Sequence, residues 1–205
     1  MSATAGHWDE AYRARGVTGV SWFQPEPALS LELVHVLNVG PSTPVIDIGG
    51  GASTLVDHLV AEGFRDVSVL DISPVALRAG EERLGPGAPV QWLNHDILTW
   101  RPQRRFGLWH DRAVFHFLVD ADDRAKYVES LSASLEPEGL LIIATFAEDG
   151  PSHCSGLPVA RYSTDLLMSA VGQSFSLLEE RRELHTTPAG AVQPFTWVAA
   201  RWHGK

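Results

Sequence analysis

Only one cysteine stands among the 205 residues. A single thiol closes no disulfide within the chain, so burial alone must hold the fold, which fits a reducing, cytoplasmic setting. Long apolar runs are missing as well. None approaches the ~20 residues of a membrane span, and the opening MSATAGHWDE has neither the basic nor the apolar region of a secretory signal. The expectation is a chain with no membrane association. Basic charge is also scarce: 16 Lys and Arg against 25 Asp and Glu give a net charge of −9. A field of that sign repels nucleic-acid backbones and argues against a nucleic-acid partner. The nearest approaches to basic clusters, RPQRR at 101–105 and RR at 181–182, read as solvated faces.

What is present is an ordinary globular composition, with 44% apolar and 20% charged residues. The length suits one domain over 1–205, with 1–25 as an N-terminal lid-like segment. Residues 26–39 (EPALSLELVHVLNV) place Leu at helical spacing and end at Gly40-Pro41. Pro44–Ile48 reads as a buried strand, 53–63 as a helix capped by Ser53 or Thr54, and Val67–Leu70 as a second strand. Ser73 and Pro74 then open a helix to Leu84. Strands at Val90–Leu93 and Phe106–His110, a helix over 122–135 and the apolar LLIIATF at 140–146 continue the alternation. That rhythm predicts an α/β fold, a parallel sheet covered by helices on both faces. Residues 150–161 read as a loop, 164–171 as a last helix, and 174–184 with 193–202 as a terminal hairpin.

The chemistry gathers after the first strand, at Val-Ile-Asp-Ile-Gly-Gly-Gly-Ala-Ser (45–53). Glycines there let a ligand approach the backbone, and the helix behind offers free N–H groups. The dinucleotide pattern needs a third glycine where Thr54 stands, so that fingerprint is incomplete. Asp71 ends the second strand 20 residues after Gly51, where an acid accepts both hydroxyls of a ribose. Asp47 lies inside the first strand, where an unpaired carboxylate is costly to bury. A short-chain oxidoreductase would need Tyr-x-x-x-Lys, yet Gly16, Leu131 and Leu166 follow the three tyrosines at that spacing.

Asp47-x-Gly49-x-Gly51, the acid Asp71 closing the second strand and Asp96 after the third together resemble class I S-adenosylmethionine-dependent methyltransferases. The resemblance implies a doubly wound, Rossmann-like sheet of seven strands in the order 3-2-1-4-5-7-6, strand 7 antiparallel. It implies S-adenosylmethionine as cofactor. Asp47 with Gly49, Gly50 and Gly51 would shape the methionine half, Asp71 would hold the ribose, and Ile72, Asp96 and Ile97 would surround the adenine. Ser53 departs from the family, which often has a third alternating glycine there. His7-Trp8-Asp9-x-x-Tyr12 and Ser21-Trp22-Phe23-Gln24 are similar to the entry segments of thiopurine-methyltransferase-like proteins and methyltransferase-like lysine methyltransferases. By that likeness Trp8, Tyr12 and Trp22 would line cofactor or acceptor, or else form a satellite apolar cluster.

His110, Asp111 and Arg112 follow the fourth strand, beside the switch point where such sheets bind ligands. Asp111 either faces cofactor or acceptor, or caps the next helix with Arg112 beside it. Asp111, His110 and His116 are the catalytic candidates. His110 and His116, six residues apart, share no helical face and have no third ligand, so no metal site is read. Cys154 has no base at motif spacing. Of the tryptophans, Trp109 is placed toward the mouth of the site, while Trp92, Trp197 and Trp202 are packing residues. The expected activity is methyl transfer to a small-molecule acceptor chosen by the N-terminal segment and the 149–162 loop. A protein lysine substrate is the alternative, and a non-catalytic cofactor-binding regulator the alternative of another class.

Overall fold

The computed structural model describes residues 4–204. Its core is a seven-stranded sheet built from β1 (Val45–Ile48), β2 (Val67–Asp71), β3 (Val90–Asn94), β4 (Phe106–Arg112), β5 (Leu135–Phe146), β6 (Phe175–Thr186) and β7 (Val192–Trp202). The spatial order is 3-2-1-4-5-7-6. β7 runs antiparallel to both neighbours, β5 and β6, and the remaining pairings are parallel. Among the described residues six helices accompany it: α1 (Ala5–Arg15), α2 (Ala28–Val36), α3 (Leu55–Ala61), α4 (Pro74–Leu84), α5 (Ala121–Ser134) and α6 (Thr164–Val171). Among the described residues no helix is long and apolar enough to cross a membrane.

Local chemistry explains the boundaries. Ser73 Oγ accepts the Ala76 N–H at 3.1 Å and Pro74 fills the first turn of α4, as the sequence predicted. The Leu55 N–H donates to Ser53 Oγ at 3.1 Å, which starts α3. The 150–161 stretch is not all loop. His153–Cys154 and Leu157–Pro158 form a short antiparallel ladder turned by Ser155 and Gly156, both at positive φ.

Period-two alternation divides the sheet's side chains between two cores. Trp109, Leu141, Ile143 and Val198 face Tyr127 and Leu131 of α5 on one side. Val45, Leu108, Ile142 and Trp197 meet Leu33 and Val34 of α2 and Leu55 and Val56 of α3 on the other. Trp109 is therefore core, fully buried, and not at the mouth of the site.

Asp111 shares the α5 side. Its carboxylate accepts the Val114 and Phe115 N–H groups at 2.8 and 3.1 Å and the Tyr127 hydroxyl at 2.5 Å, and Tyr127 in turn accepts the Trp109 indole N–H at 2.9 Å. This knot ties β4 to α5 and caps the short 3₁₀ turn Phe115–Phe117. Tyr127→Phe should therefore cost roughly 1–3 kcal/mol in urea unfolding, since it strips one donor from a buried carboxylate and leaves an indole N–H unpaired. Ligand affinity should stay at the wild-type value.

Candidate functional site

A cleft opens along the carboxyl ends of β1, β2 and β4, roofed by the N-terminal segment. Its larger chamber has about 870 Å³ of empty space, open mouth included. A smaller chamber of about 550 Å³ adjoins it under residues 17–27. Ile48, Gly49, Tyr12, Trp22 and Arg112 border both.

The glycine turn is shaped by what presses on it. Gly49 has φ +67°, and a side chain there would collide with Val114. Gly51, at φ +23°, leaves room for a carboxylate: a Cβ would stand 2.5 Å from Asp71 Oδ2 and 2.7 Å from Ala76 Cβ. The register of β1 on β4 sets Asp47 opposite His110. His110 Nδ1 donates to Asp47 Oδ1 at 2.7 Å, and the Ser30 hydroxyl donates to His110 Nε2 at 2.9 Å. All three side chains are buried, and Asp47 Oδ2 has no partner among the described residues.

Asp71 is less well compensated. One carboxylate oxygen accepts the Ser73 N–H at 2.8 Å, and no side-chain donor among the described residues reaches it. Burial lifts its pKa to about 7, and the neighbouring acids Asp47 and Asp9 add to the rise. Ile72, Asp96 and Ile97 line the same chamber, where the Asp96 carboxylate accepts the Leu98 N–H at 2.9 Å. His95 and Leu98 also line it, though the sequence had not singled them out.

Overhead, Trp8, Tyr12 and Trp22 come together with Phe117. The Trp22 indole N–H donates to the Tyr12 hydroxyl at 3.1 Å, and Trp8 sets its ring edge-on to Trp22 at 5.6 Å and to Phe117 at 4.9 Å. Tyr12 and Trp22 also belong to a small apolar cluster with Val20, Ala52 and Ala76 over the glycine turn. Lining and packing thus coexist. The segment is strapped down by polar bonds. His185 Nε2 donates to the Ser21 carbonyl (2.7 Å), Arg112 to the Trp22 carbonyl (3.1 Å), Thr54 to the Gln24 carbonyl (3.0 Å), and Gln24 Nε2 to Glu183 (2.7 Å). The Ser73 hydroxyl also donates to Asp9 of α1 at 2.6 Å.

The three catalytic candidates fare differently. Asp111 stays out of the cleft because alternation turns it toward α5, where its oxygens are already engaged. His116 is fully buried, packed against Phe117 and Phe146, and burial drives its pKa down to about 3. It does not line the cleft. His110 borders the smaller chamber, but both ring nitrogens are engaged by Asp47 and Ser30. Arg112 does not pair with Asp111. Alternation sends it to the opposite side, over the Phe195 ring at 4.6 Å and 3.7 Å from Glu183. Of the 149–162 loop, Cys154 lines the cleft.

Residues 45–139 match the family model described as "Methyltransferase domain". Human EEF1A lysine methyltransferase 2 is 23% identical over 199 residues, covering 86% of this chain and 76% of that protein. Mouse eEF1A lysine and N-terminal methyltransferase is 33% identical over 97 residues, which span 46% of this chain and 13% of that protein. Among solved structures, Burkholderia thailandensis 1,6-didemethyltoxoflavin-N1-methyltransferase, with bound 1,6-didemethyltoxoflavin and S-adenosylhomocysteine, superposes with TM-score 0.71 at 16% identity. The match covers 98% of this chain and 87% of that one. Together these likenesses support a class I S-adenosylmethionine-dependent methyltransferase. In this methyltransferase the matched region runs from β1 into β5 and carries the three strand-end acids Asp47, Asp71 and Asp111. The roof and the β6–β7 hairpin that straps it lie outside that region.

The cleft fits S-adenosylmethionine on its own chemistry. A buried acid without a side-chain donor suits a diol, and a buried carboxylate oxygen without a partner suits an ammonium. Gly51→Ala should lower stability by about 1–3 kcal/mol in chemical denaturation, because an added methyl meets Asp71 and Ala76 at a strained φ. It should also weaken S-adenosylhomocysteine binding at least tenfold in calorimetry, by displacing Asp71.

Proposed function

We propose that this methyltransferase transfers a methyl group from S-adenosylmethionine to a small-molecule acceptor. In this reading Asp71 accepts from the ribose hydroxyls, and Ile72, Ile97 and Asp96 hold the adenine. Gly49, Gly50 and Asp47 border the amino-acid half, Gly51 makes room behind them for Asp71, and Tyr12 and Trp22 lie above. Bound there, the cofactor supplies an electrophilic methyl group on a sulfonium, a cation that aromatic faces stabilise by ~0.5–2 kcal/mol. The chain's own task is positional: to hold an acceptor lone pair in line with that methyl. His116 is fully buried away from the cleft, so a proton leaving a protonated acceptor goes to solvent or to a cleft-lining group such as His95.

One observation carries the preference for a small molecule. Beyond the residues assigned to the cofactor, the walls include Trp8, Ala113, Val114, Phe117, Leu118 and Cys154, with His95 and Arg112 as the polar groups and no further carboxylate. The only charge in that set is positive. A lysine ammonium would meet a cation and no carboxylate, whereas a flat, neutral or anionic acceptor meets aromatic faces and a donor. The lysine reading draws on the eEF1A-directed names of the relatives, and the two are separable in one assay. S-adenosylhomocysteine release should appear with members of a small thiol, amine and carboxylate panel and stay at background with lysine-rich proteins and peptides. Release with the proteins alone would replace the proposal. Tight cofactor binding with no release from either set would favour the regulator.

The Asp71 placement has its own test. The free carboxyl titrates at about 7, and donation from ribose hydroxyls favours its ionised form. Affinity for S-adenosylhomocysteine should therefore be flat above pH 7 and fall up to tenfold per unit below it. Asp71→Asn should remove this dependence, and Asp71→Ala should cost about 1.5–3 kcal/mol of binding at pH 8. A wild-type profile unchanged between pH 5.5 and 8 would contradict the placement.

A further inference from the structure

Arg112 carries more donor capacity than its surroundings use. Its guanidinium is about nine-tenths buried, with 10% of the side chain exposed. Nη1 donates to the Trp22 carbonyl. Nε and Nη2 are buried and have no hydrogen-bond partner among the described residues. The one acid nearby, Glu183, lies 3.7 Å from Nη2 and is already committed, accepting from Gln24 Nε2 at 2.7 Å and from the Trp197 indole at 2.9 Å. The Phe195 face behind the guanidinium holds its plane at 4.6 Å. A buried polar group left without a partner is expensive, and a guanidinium edge whose Nε is unpartnered and whose Nη2 has only the long ion pair to Glu183 has the geometry that grips a carboxylate by two parallel bonds. Arg112 borders both chambers of the cleft.

We propose that Arg112 is a carboxylate receptor: its Nε and Nη2 edge takes the carboxylate of a molecule seated in the cleft, with Phe195 fixing the guanidinium plane. The proposal rests on the cofactor cleft assigned above. Two molecules can supply the group, the amino-acid tail of the cofactor or a carboxylate-bearing acceptor. Arg112 would then also report occupancy to the roof, because the same guanidinium holds the Trp22 carbonyl.

The test compares wild type, Arg112→Met and Arg112→Lys by calorimetry with two probes. One is S-adenosylhomocysteine, and the other is 5′-methylthioadenosine, which keeps the adenosine and thioether but lacks the amino-acid tail. If the carboxylate is the cofactor's, Arg112→Met should weaken S-adenosylhomocysteine at least tenfold and 5′-methylthioadenosine less than twofold. Arg112→Lys should fall between the two proteins. If the carboxylate is the acceptor's, both nucleosides should bind Arg112→Met as they bind wild type. A millimolar benzoate probe, titrated into protein saturated with S-adenosylhomocysteine, should then bind wild type and be lost from Arg112→Met. Unchanged affinity for all three probes overturns the proposal. So does an equal loss of both nucleosides in Arg112→Met and Arg112→Lys, which would make Arg112 a strut for the roof. Failure of 5′-methylthioadenosine to bind wild type would instead remove the cofactor cleft itself.

Discussion

The site depends on the burial of carboxylates at the ends of adjacent parallel strands. Asp71 is the last residue of β2, Asp47 and Asp111 are the last but one of β1 and β4, and none is more than 7% exposed. Each loses its water, and the three recover different amounts from the protein. Asp111 gathers two amides and a phenol and becomes a structural knot. Asp47 takes one imidazole and keeps one oxygen bare. Asp71 holds a single amide and stays poised near neutrality. The gradient from full to partial compensation runs from the core to the cleft. Where the protein leaves an acid under-served, a ligand has something to donate.

The same imbalance shapes stability. Asp71 and Asp111 have folded pKa values of about 7 and about 6, above the 3.8 of a free Asp. Between roughly pH 4 and 7 the folded state thus binds more protons than the unfolded one, and these two groups lower stability as pH rises. A ligand that donates to Asp71 reverses part of that loss. Cofactor site and structural weakness are two descriptions of one carboxylate.

Much of this was legible in the sequence. Strand and helix alternation, the Ser73-Pro74 start of α4 and the C-terminal hairpin follow from local rules that tertiary contacts did not override. Residues forward of the strands, such as Ile72, Asp96 and Ile97, fell on the cleft because the sheet's carboxyl edge is reached by counting along the chain. What escaped was orientation. Asp111 and Arg112 are neighbours in sequence, and only the period of two, anchored on the buried Trp109, tells that one turns to α5 and the other to the roof. His116 looked reactive because its letter is; its fully buried place among aromatic rings is a long-range fact. The ladder inside 150–161 was hidden as well, since two-residue strands carry no periodicity.

The straps that hold the roof span most of the chain. Ser21 is bonded to His185 and Gln24 to Glu183, pairs 164 and 159 residues apart. On the ribosome, α1 and the roof tryptophans emerge before the sheet, yet two of their fastenings, His185 and Glu183, do not exist until β6 has been made. Everything needed to cradle a nucleoside, from β1 to Ile97, exists well before that moment. The nascent protein should therefore pass through a state with an assembled floor and a roof only partly fastened. Closure of the cleft is completed only after β6 is in place.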